Sequence, residues 1–159
     1  MSLNEPIILV VDDEEEMRNF LKDVLVSQGF AVHVVASGQE AINQMPTLKP
    51  DLVLLDLMMT AVDGVAVCKA LRTNQKTESI PILGVTGSLS NQQIEESMTK
   101  GADDFISKPI DVQDMLIRIR ALLKWKDIAD PIERLSRYVE TVREMSETTT
   151  SPHTLSGSD

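Results

Sequence analysis

The sequence predicts an α/β protein built on a doubly wound, five-stranded parallel sheet. Short, continuous apolar runs alternate with stretches in which apolar residues recur at helical spacing. Such runs are typical of strands that are buried on both faces of a parallel sheet. Five strand–helix repeats over roughly 125 residues are ordinary for this class. Right-handed crossovers would place helices on both faces of the sheet.

The apolar runs give the strands. We predict them at 7–11, 31–35, 52–55, 81–86 and 104–106. Each run is shorter than an ordinary helix and is bounded by polar or turn residues. The sequence therefore predicts five short strands in chain order.

The first two helices are marked by their ends. The first carries apolar residues from Met17 to Leu25 and ends at Gly29, a typical C-terminal cap. Ser37-Gly38 opens the second helix. A loop at 46–50, which holds two prolines, is predicted to lead into the third strand.

Three further helices follow from local signals. The turn residues Asp63-Gly64 precede a helix that contains Val67, Cys68 and Leu71. Ser90 is a plausible cap for a helix over 91–100, and Asp111 for a helix that runs to Leu123. These helices complete the predicted alternation of strands and helices.

The chain changes character after Lys126. Asp130-Pro131 breaks the preceding helix, because proline disfavours helical geometry in the residue before it. Ile132, Leu135, Val139 and Val142 then recur at steps of three and four, a pattern typical of a short coiled-coil seam. We therefore predict a domain at 6–126, a linker or dimerisation helix at 127–146, and a disordered tail at 147–159.

Composition limits the function. The 159 residues carry a formal charge of −10, which argues against binding to nucleic acid or to an anionic membrane surface. The lone Cys68 cannot form an internal disulfide. No secretory signal or membrane-length run is recognisable, so we expect a cytoplasmic protein.

Polar residues follow four of the predicted strands. Asp12 and Asp13 follow the first, Asp56 the third, Thr86 ends the fourth, and Lys108-Pro109 follows the fifth. Ligands of open α/β sheets bind at the carboxyl ends of the strands. We therefore expect these side chains to converge on one pocket.

Three carboxylates in one pocket suit Mg²⁺ or Mn²⁺. Asp13 and Asp56 are the expected direct ligands, with Asp12 acting through water and the backbone carbonyl of Met58 adding an oxygen. A carboxylate beside such a cation can also attack a phosphoryl group, giving an aspartyl phosphate. Lys108 would then neutralise charge, and Thr86 would offer a hydroxyl hydrogen bond.

Each of these residues also has a purely structural explanation when taken alone. Asp12 and Asp13 could cap a helix, Asp56 could form a turn, and Thr86 could simply end a strand. Capping does not explain why all of them fall at the ends of separate strands. The joint pattern indicates a functional site.

At these residues the chain resembles the receiver domain of two-component response regulators, over roughly residues 6–126. The matching motifs are Val10-Val11-Asp12-Asp13, Leu54-Leu55-Asp56-Leu57-Met58-Met59, Asp63-Gly64, Val85-Thr86-Gly87 and Ile106-Ser107-Lys108-Pro109. The resemblance implies the flavodoxin-like strand order 2-1-3-4-5. It also implies that Asp56 is the phosphoacceptor and that Asp12 and Asp13 are the acidic metal pair.

The resemblance extends to signalling. Thr86 matches the switch hydroxyl, Lys108 the family's lysine and Phe105 its aromatic switch position, although Phe105 could also be simple core filler. A cis peptide bond is expected between Lys108 and Pro109. A histidine kinase or phosphotransfer protein, as in a phosphorelay, would donate the phosphoryl group. The domain would be regulatory rather than an enzyme, assisting only its own phosphorylation and dephosphorylation.

Two other classes fit the residues less well. A haloacid dehalogenase-type phosphatase needs a second acid two residues beyond its nucleophile, where this chain has Met58. A flavodoxin-like cofactor binder needs a phosphate loop after the first strand, where the acidic run 12–16 would repel phosphate.

The sequence leaves open how such a domain would pass its signal on. The chain is either a stand-alone receiver that signals through partner or dimer contacts, or the amino-terminal part of a larger regulator whose effector domain is absent. The helix after Pro131 could form a homodimer, or it could fold back on its own domain.

Overall fold

The computed structural model describes residues 5–59, 64–87 and 101–156. Five strands lie within these residues: β1 (Ile7–Val11), β2 (Ala31–Val35), β3 (Leu52–Asp56), β4 (Ile82–Thr86) and β5 (Asp104–Ser107). The helices are α1 (Glu15–Ser27), α2 (Gly38–Leu48), α3 (Gly64–Arg72), α4 (Val112–Trp125) and α5 (Pro131–Ser156). The chain divides into two compact units, residues 1–110 and 111–159. The predicted helix at 91–100, its Ser90 cap and Asp63 lie outside the described residues.

The five strands form one parallel sheet in the order β2-β1-β3-β4-β5, which confirms the predicted fold class. The register aligns their carboxyl ends. Val11 of β1 pairs with Leu55 of β3, and Asp56 pairs with Val85 of β4. Thr86 in turn pairs with Ser107 of β5. The polar residues that follow these strands therefore leave the sheet along one edge.

Alternating side chains of the strands supply the core. Leu9 and Val11 of β1 pack on one face of the sheet, together with buried residues of α2 and α3 such as Met45 and Val67. Full burial of each such aliphatic side chain contributes roughly 1.5–3 kcal/mol. The sheet is thereby held as a rigid base for the residues at its edge.

The predicted caps are present at the helix ends. Gly29 follows α1 with a φ of 94°, a conformation that glycine adopts readily. The Ser37 hydroxyl accepts a hydrogen bond from the Glu40 N–H at 3.2 Å at the start of α2. These caps explain why the sequence located the end of α1 and the start of α2 well.

Pro46 lies inside α2, whereas the sequence predicted a loop from this residue onward. Proline removes one helical hydrogen bond and would ordinarily end the helix. Here Met45 is buried and Leu48 packs against the core, so both sides of the proline are held in place. The helix ends at Leu48 and is capped by Lys49, which is left-handed (φ 51°) and donates its N–H to the Met45 carbonyl.

In the second unit, α5 folds back on α4. The Trp125 indole Nε1 donates to the Thr141 hydroxyl at 2.8 Å, and the Arg134 guanidinium donates to the Ile128 carbonyl at 2.7 Å. Tyr138 is buried on the same side of α5. The α4–α5 pair is thus a helical hairpin fixed by polar contacts as well as packing.

The backbone of α5 continues to Ser156, where the sequence predicted a disordered tail from residue 147. An established helix adds one hydrogen bond per residue, so it can extend past its packed part. The Thr148 hydroxyl also donates to the Glu144 carbonyl at 2.9 Å. The helical prediction from Pro131 holds, but its end at 146 was too early.

A search of the described residues for membrane-spanning segments finds no helix of the required length and hydropathy.

Arg72, at the end of α3, ties together the loops that lead into β4 and β5. Its guanidinium donates to the carbonyl oxygens of Ile80 at 2.6 Å and Gly101 at 2.9 Å. It also lies 2.7 Å from an Asp103 carboxylate oxygen, and that oxygen accepts the Ile82 N–H at 2.8 Å. One side chain therefore organises the amino-terminal ends of two strands.

Replacing Arg72 with methionine should lower the free energy of unfolding by about 2–3 kcal/mol, because the carbonyls and Asp103 would lose their donor while remaining partly buried. Urea denaturation measures this change. Lys69→Met, which alters an exposed cation on the same helix, should change the stability by less than about 0.5 kcal/mol. Equal effects of the two substitutions would contradict the assigned role of Arg72.

Candidate functional site

Three carboxylates cluster at the carboxyl edge of the sheet. Asp12 and Asp13 follow β1, and Asp56 ends the neighbouring strand β3. One oxygen from each of the three lies within 4.8 Å of the others. Asp12 and Asp56 are buried, whereas Asp13 is exposed to solvent. The convergence expected from the sequence is therefore present for all three acids.

Local hydrogen bonds orient the two buried acids in the same way. Asp12 Oδ1 accepts the Glu14 N–H at 2.9 Å, and Asp56 Oδ1 accepts the Met58 N–H at 2.9 Å. Each carboxylate thus caps its own turn two residues on, as short acidic side chains often do. The second oxygen of each carboxylate is left for other contacts.

Lys108 provides those contacts. Its Nζ lies 3.5 Å from Asp12 Oδ2 and 3.5 Å from Asp56 Oδ2. The Lys108 backbone N–H donates to the Thr86 carbonyl at 2.8 Å, which fixes the start of the side chain beside β4. The peptide bond between Lys108 and Pro109 is cis. The ammonium therefore reaches back over the sheet edge to two different strands.

Thr86 and Phe105 lie on the adjoining strands. Thr86 is buried at the end of β4, one position beyond Val85, the register partner of Asp56. Phe105 is half-buried on β5 and pairs in register with Gly84. Thr86 thus shares the edge with the acids, and Phe105 lies three residues before Lys108 in the next strand.

The electrostatics of the cluster follow from burial and charge. Burial raises the pKa of the Asp12 carboxyl, and the nearby charge of Asp56 raises it further. The hydrogen bond from the Glu14 N–H lowers this pKa but does not cancel the rise. Partial burial alone would lower the pKa of Lys108. The carboxylates of Asp56, Asp12 and Glu14 outweigh that effect and raise the Lys108 pKa. The cluster holds more negative charge than one ammonium neutralises.

Glu14 is a member of this cluster that the sequence did not single out. Its Oε1 lies 3.2 Å from Lys108 Nζ. The acidic run 12–16 was the available signal, but it did not say which glutamate stays at the edge. Because α1 begins at Glu15, Glu14 remains just outside the helix, next to the acids.

Gly64 was recognised only as a turn residue, yet it lies directly against the carboxyl end of β3. A Cβ atom placed there would lie 2.5 Å from the Asp56 carbonyl oxygen and would also meet the Leu57 backbone. Only glycine therefore allows α3 to begin at this point. Glycine is often found where two backbone segments come this close, because it has no Cβ atom.

The arrangement has two chemical capacities. Carboxylate oxygens of this kind are the ligands that Mg²⁺ prefers, and an ammonium is suited to bind anionic oxygens. A site with both can hold a cation and a phosphoryl group side by side. Asp12 and Asp56 are the two buried carboxylates of this cluster, and each lies 3.5 Å from the Lys108 ammonium.

Comparison with known proteins identifies the domain. The model of the response regulator receiver domain matches residues 8–120. The DNA-binding dual master transcriptional regulator RpaA of Synechocystis is 38% identical over 122 residues, covering 77% of this chain and 51% of that protein. The alkaline phosphatase synthesis transcriptional regulatory protein PhoP of Bacillus subtilis is 38% identical over 124 residues, covering 78% and 51%.

The chain thus spans about half the length of these curated relatives. A solved structure of a putative response regulator from Chloroflexus aurantiacus superposes with a TM-score of 0.73 at 30% identity, covering 76% of this chain and 99% of that one. Because the receiver model accounts for most of the chain and the strand order agrees, the protein belongs to the response regulator receiver domain family, the regulatory domains of two-component signal transduction.

Proposed function

We propose that this receiver domain is a switch that accepts a phosphoryl group on Asp56 from a histidine kinase or phosphotransfer protein. The observation that carries the proposal is the Lys108 ammonium, 3.5 Å from an oxygen of Asp56 within a cluster of three acids. A nucleophile needs charge compensation of this kind before it can approach an anionic phosphoryl group.

The two oxygens of Asp56 have different roles in this proposal. Oδ1 is engaged by the Met58 N–H, whereas Oδ2 faces Lys108. Oδ2 is therefore the nucleophile, and it forms the new bond to phosphorus as the bond to the donor atom breaks. Lys108 stabilises the charge on the phosphoryl oxygens, and the Thr86 hydroxyl donates to one of them.

Asp56→Asn keeps the shape of the side chain but removes the nucleophile. We expect the wild type to gain a phosphoryl group from acetyl phosphate in the presence of Mg²⁺, as seen by intact mass, and the variant to gain none. Asp23→Asn, an exposed acid on α1, is the matched control and should react like the wild type. Equal labelling of the Asp56 variant would refute the assignment.

We propose that Mg²⁺, or Mn²⁺, binds at the same cluster. The hard oxygen donors fit such a cation, and so does the excess negative charge around the buried Asp12. Asp13 and Asp56 would be direct ligands, with Asp12 acting through water and the Met58 carbonyl completing the protein's share. Once bound, the cation would offset charge on the phosphoryl oxygens.

The same charge argument predicts the effect of Asp12→Asn. In the presence of EDTA, the variant should unfold a few degrees higher than the wild type, because one of two neighbouring buried carboxylates is made neutral. Mg²⁺ should raise the unfolding temperature of the wild type much more than that of the variant. Differential scanning calorimetry with EDTA and with Mg²⁺ measures both effects. A variant that responds to Mg²⁺ like the wild type would contradict the ligand assignment.

Readout through Thr86 and Phe105 is part of the proposal. A phosphoryl group on Asp56 would draw the Thr86 hydroxyl toward it, and Phe105 would move into the space vacated. Such a change is a population shift between two packed states. The burial of Thr86 and the half-buried position of Phe105 on the adjoining strand support it.

Two features bear on the output. The chain covers about half of relatives named as DNA-binding regulators, which favours an amino-terminal receiver within a larger regulator. Because the chain carries a charge of −10, we expect any contact with nucleic acid to be made by an effector domain and not by this receiver. The cytoplasmic location stays a prediction from the sequence.

We also propose that α5 pairs with α5 of a second copy. Ile132 is 80% exposed, and Leu135 and Val139 are each 54% exposed, although they form one apolar stripe. The opposite side of α5 packs on α4 through Tyr138 and Thr141. A heptad-spaced stripe is self-complementary, since two such helices can interlock side chains.

A double variant, Leu135→Gln with Val139→Gln, tests the dimer. Sedimentation equilibrium should show a dimer for the wild type at high protein concentration and a monomer for the variant. The control is Glu133→Gln with Glu140→Gln. This variant introduces two glutamines at exposed positions beside the stripe and should remain dimeric. A wild type that is monomeric at every concentration would overturn the proposal.

A further inference from the structure

We infer that Glu14 holds the Lys108 ammonium in the unphosphorylated protein and thereby limits how fast Asp56 takes up a phosphoryl group. The inference rests on the proposed role of Asp56. Glu14 touches neither the acceptor nor the phosphoryl group in this scheme. It is a positioning residue that acts through Lys108.

The shortest of the three contacts of Lys108 is the one to Glu14. Nζ lies 3.2 Å from Glu14 Oε1, against 3.5 Å from Asp12 and 3.5 Å from Asp56. An ammonium has three N–H donors, so one is available for each carboxylate. The oxygens of an incoming phosphoryl group therefore compete with these carboxylates for the ammonium.

The partner that can be displaced is Glu14. Its side chain is 64% exposed, whereas those of Asp12 and Asp56 are almost fully buried. Water can replace Lys108 around an exposed carboxylate at little cost, which is not so for a buried one. The Glu14 contact is thus the one of the three that an incoming phosphoryl group can displace at the least cost.

The backbone keeps Glu14 in this position. Its N–H is bonded to Asp12 Oδ1, and the residue is extended (φ −94°, ψ 120°) immediately before α1. Glu15 and Glu16 belong to the first turn of the helix. Among the described residues, the ion pairs of Lys108 are made with Asp12, Glu14 and Asp56 alone. Glu15 therefore has the same charge as Glu14 and is its neighbour in the chain, but it makes no ion pair with Lys108.

Glu14→Gln and Glu15→Gln form a matched pair for the test, since both remove one exposed negative charge. We expect Glu14→Gln to speed the initial rate of phosphorylation by acetyl phosphate with Mg²⁺ about two- to fivefold, the range an exposed ion pair supplies. Glu15→Gln should stay within about 1.5-fold of the wild type. The rate is measured by intact mass over time.

Three outcomes separate the possible failures. Equal acceleration by both variants would reduce the effect to net charge and overturn the inference. A Glu14→Gln rate equal to the wild type would also overturn it, while Asp56-dependent labelling would leave the proposed function standing. Labelling that persists in Asp56→Asn would instead overturn the proposed function itself. Unchanged unfolding temperatures in both glutamate variants would exclude a merely structural role.

Discussion

Repulsion between carboxylates is the constraint on which the rest of the first unit depends. Asp12 and Asp56 are both buried at the ends of neighbouring strands, and Asp13 lies within 4.8 Å of them. Buried like charges oppose folding unless hydrogen bonds and a counter-charge offset them. Here the turn N–H groups bind one oxygen of each buried acid, and Lys108 lies opposite the other.

The parallel sheet makes this concentration of charge achievable. Strands that run in one direction bring all their carboxyl ends to one edge, and the apolar core beneath fixes their spacing. Arg72 then secures the opposite ends of β4 and β5 through Asp103 and the loop carbonyls. The site is therefore assembled from strand ends that cannot drift apart independently, which suits chemistry that depends on positioning.

Sequence patterns were sufficient where the determining interactions are local. The apolar runs located all five strands to within one residue at either end, and the residues that follow them converge as expected. The end of α2 was wrong because burial around Pro46, a tertiary effect, outweighed a local helix breaker. The roles of Glu14 and Arg72 were not predicted, for a related reason. Their partners lie 94 and 31 residues away in the chain, and nothing in their own neighbourhood distinguishes them from other surface charges.

The contact between Trp125 and Thr141 has a practical consequence for observing this protein. Trp125 is the one tryptophan in the chain, and its ring centroid in the α4–α5 hairpin lies 5.0 Å from Lys124 Nζ and 5.3 Å from Arg137 Cζ. Its fluorescence is therefore an intrinsic optical probe of the helical hairpin in the second unit. A change in emission on phosphorylation would report altered surroundings of the hairpin, and it could be followed without adding a label to the chain.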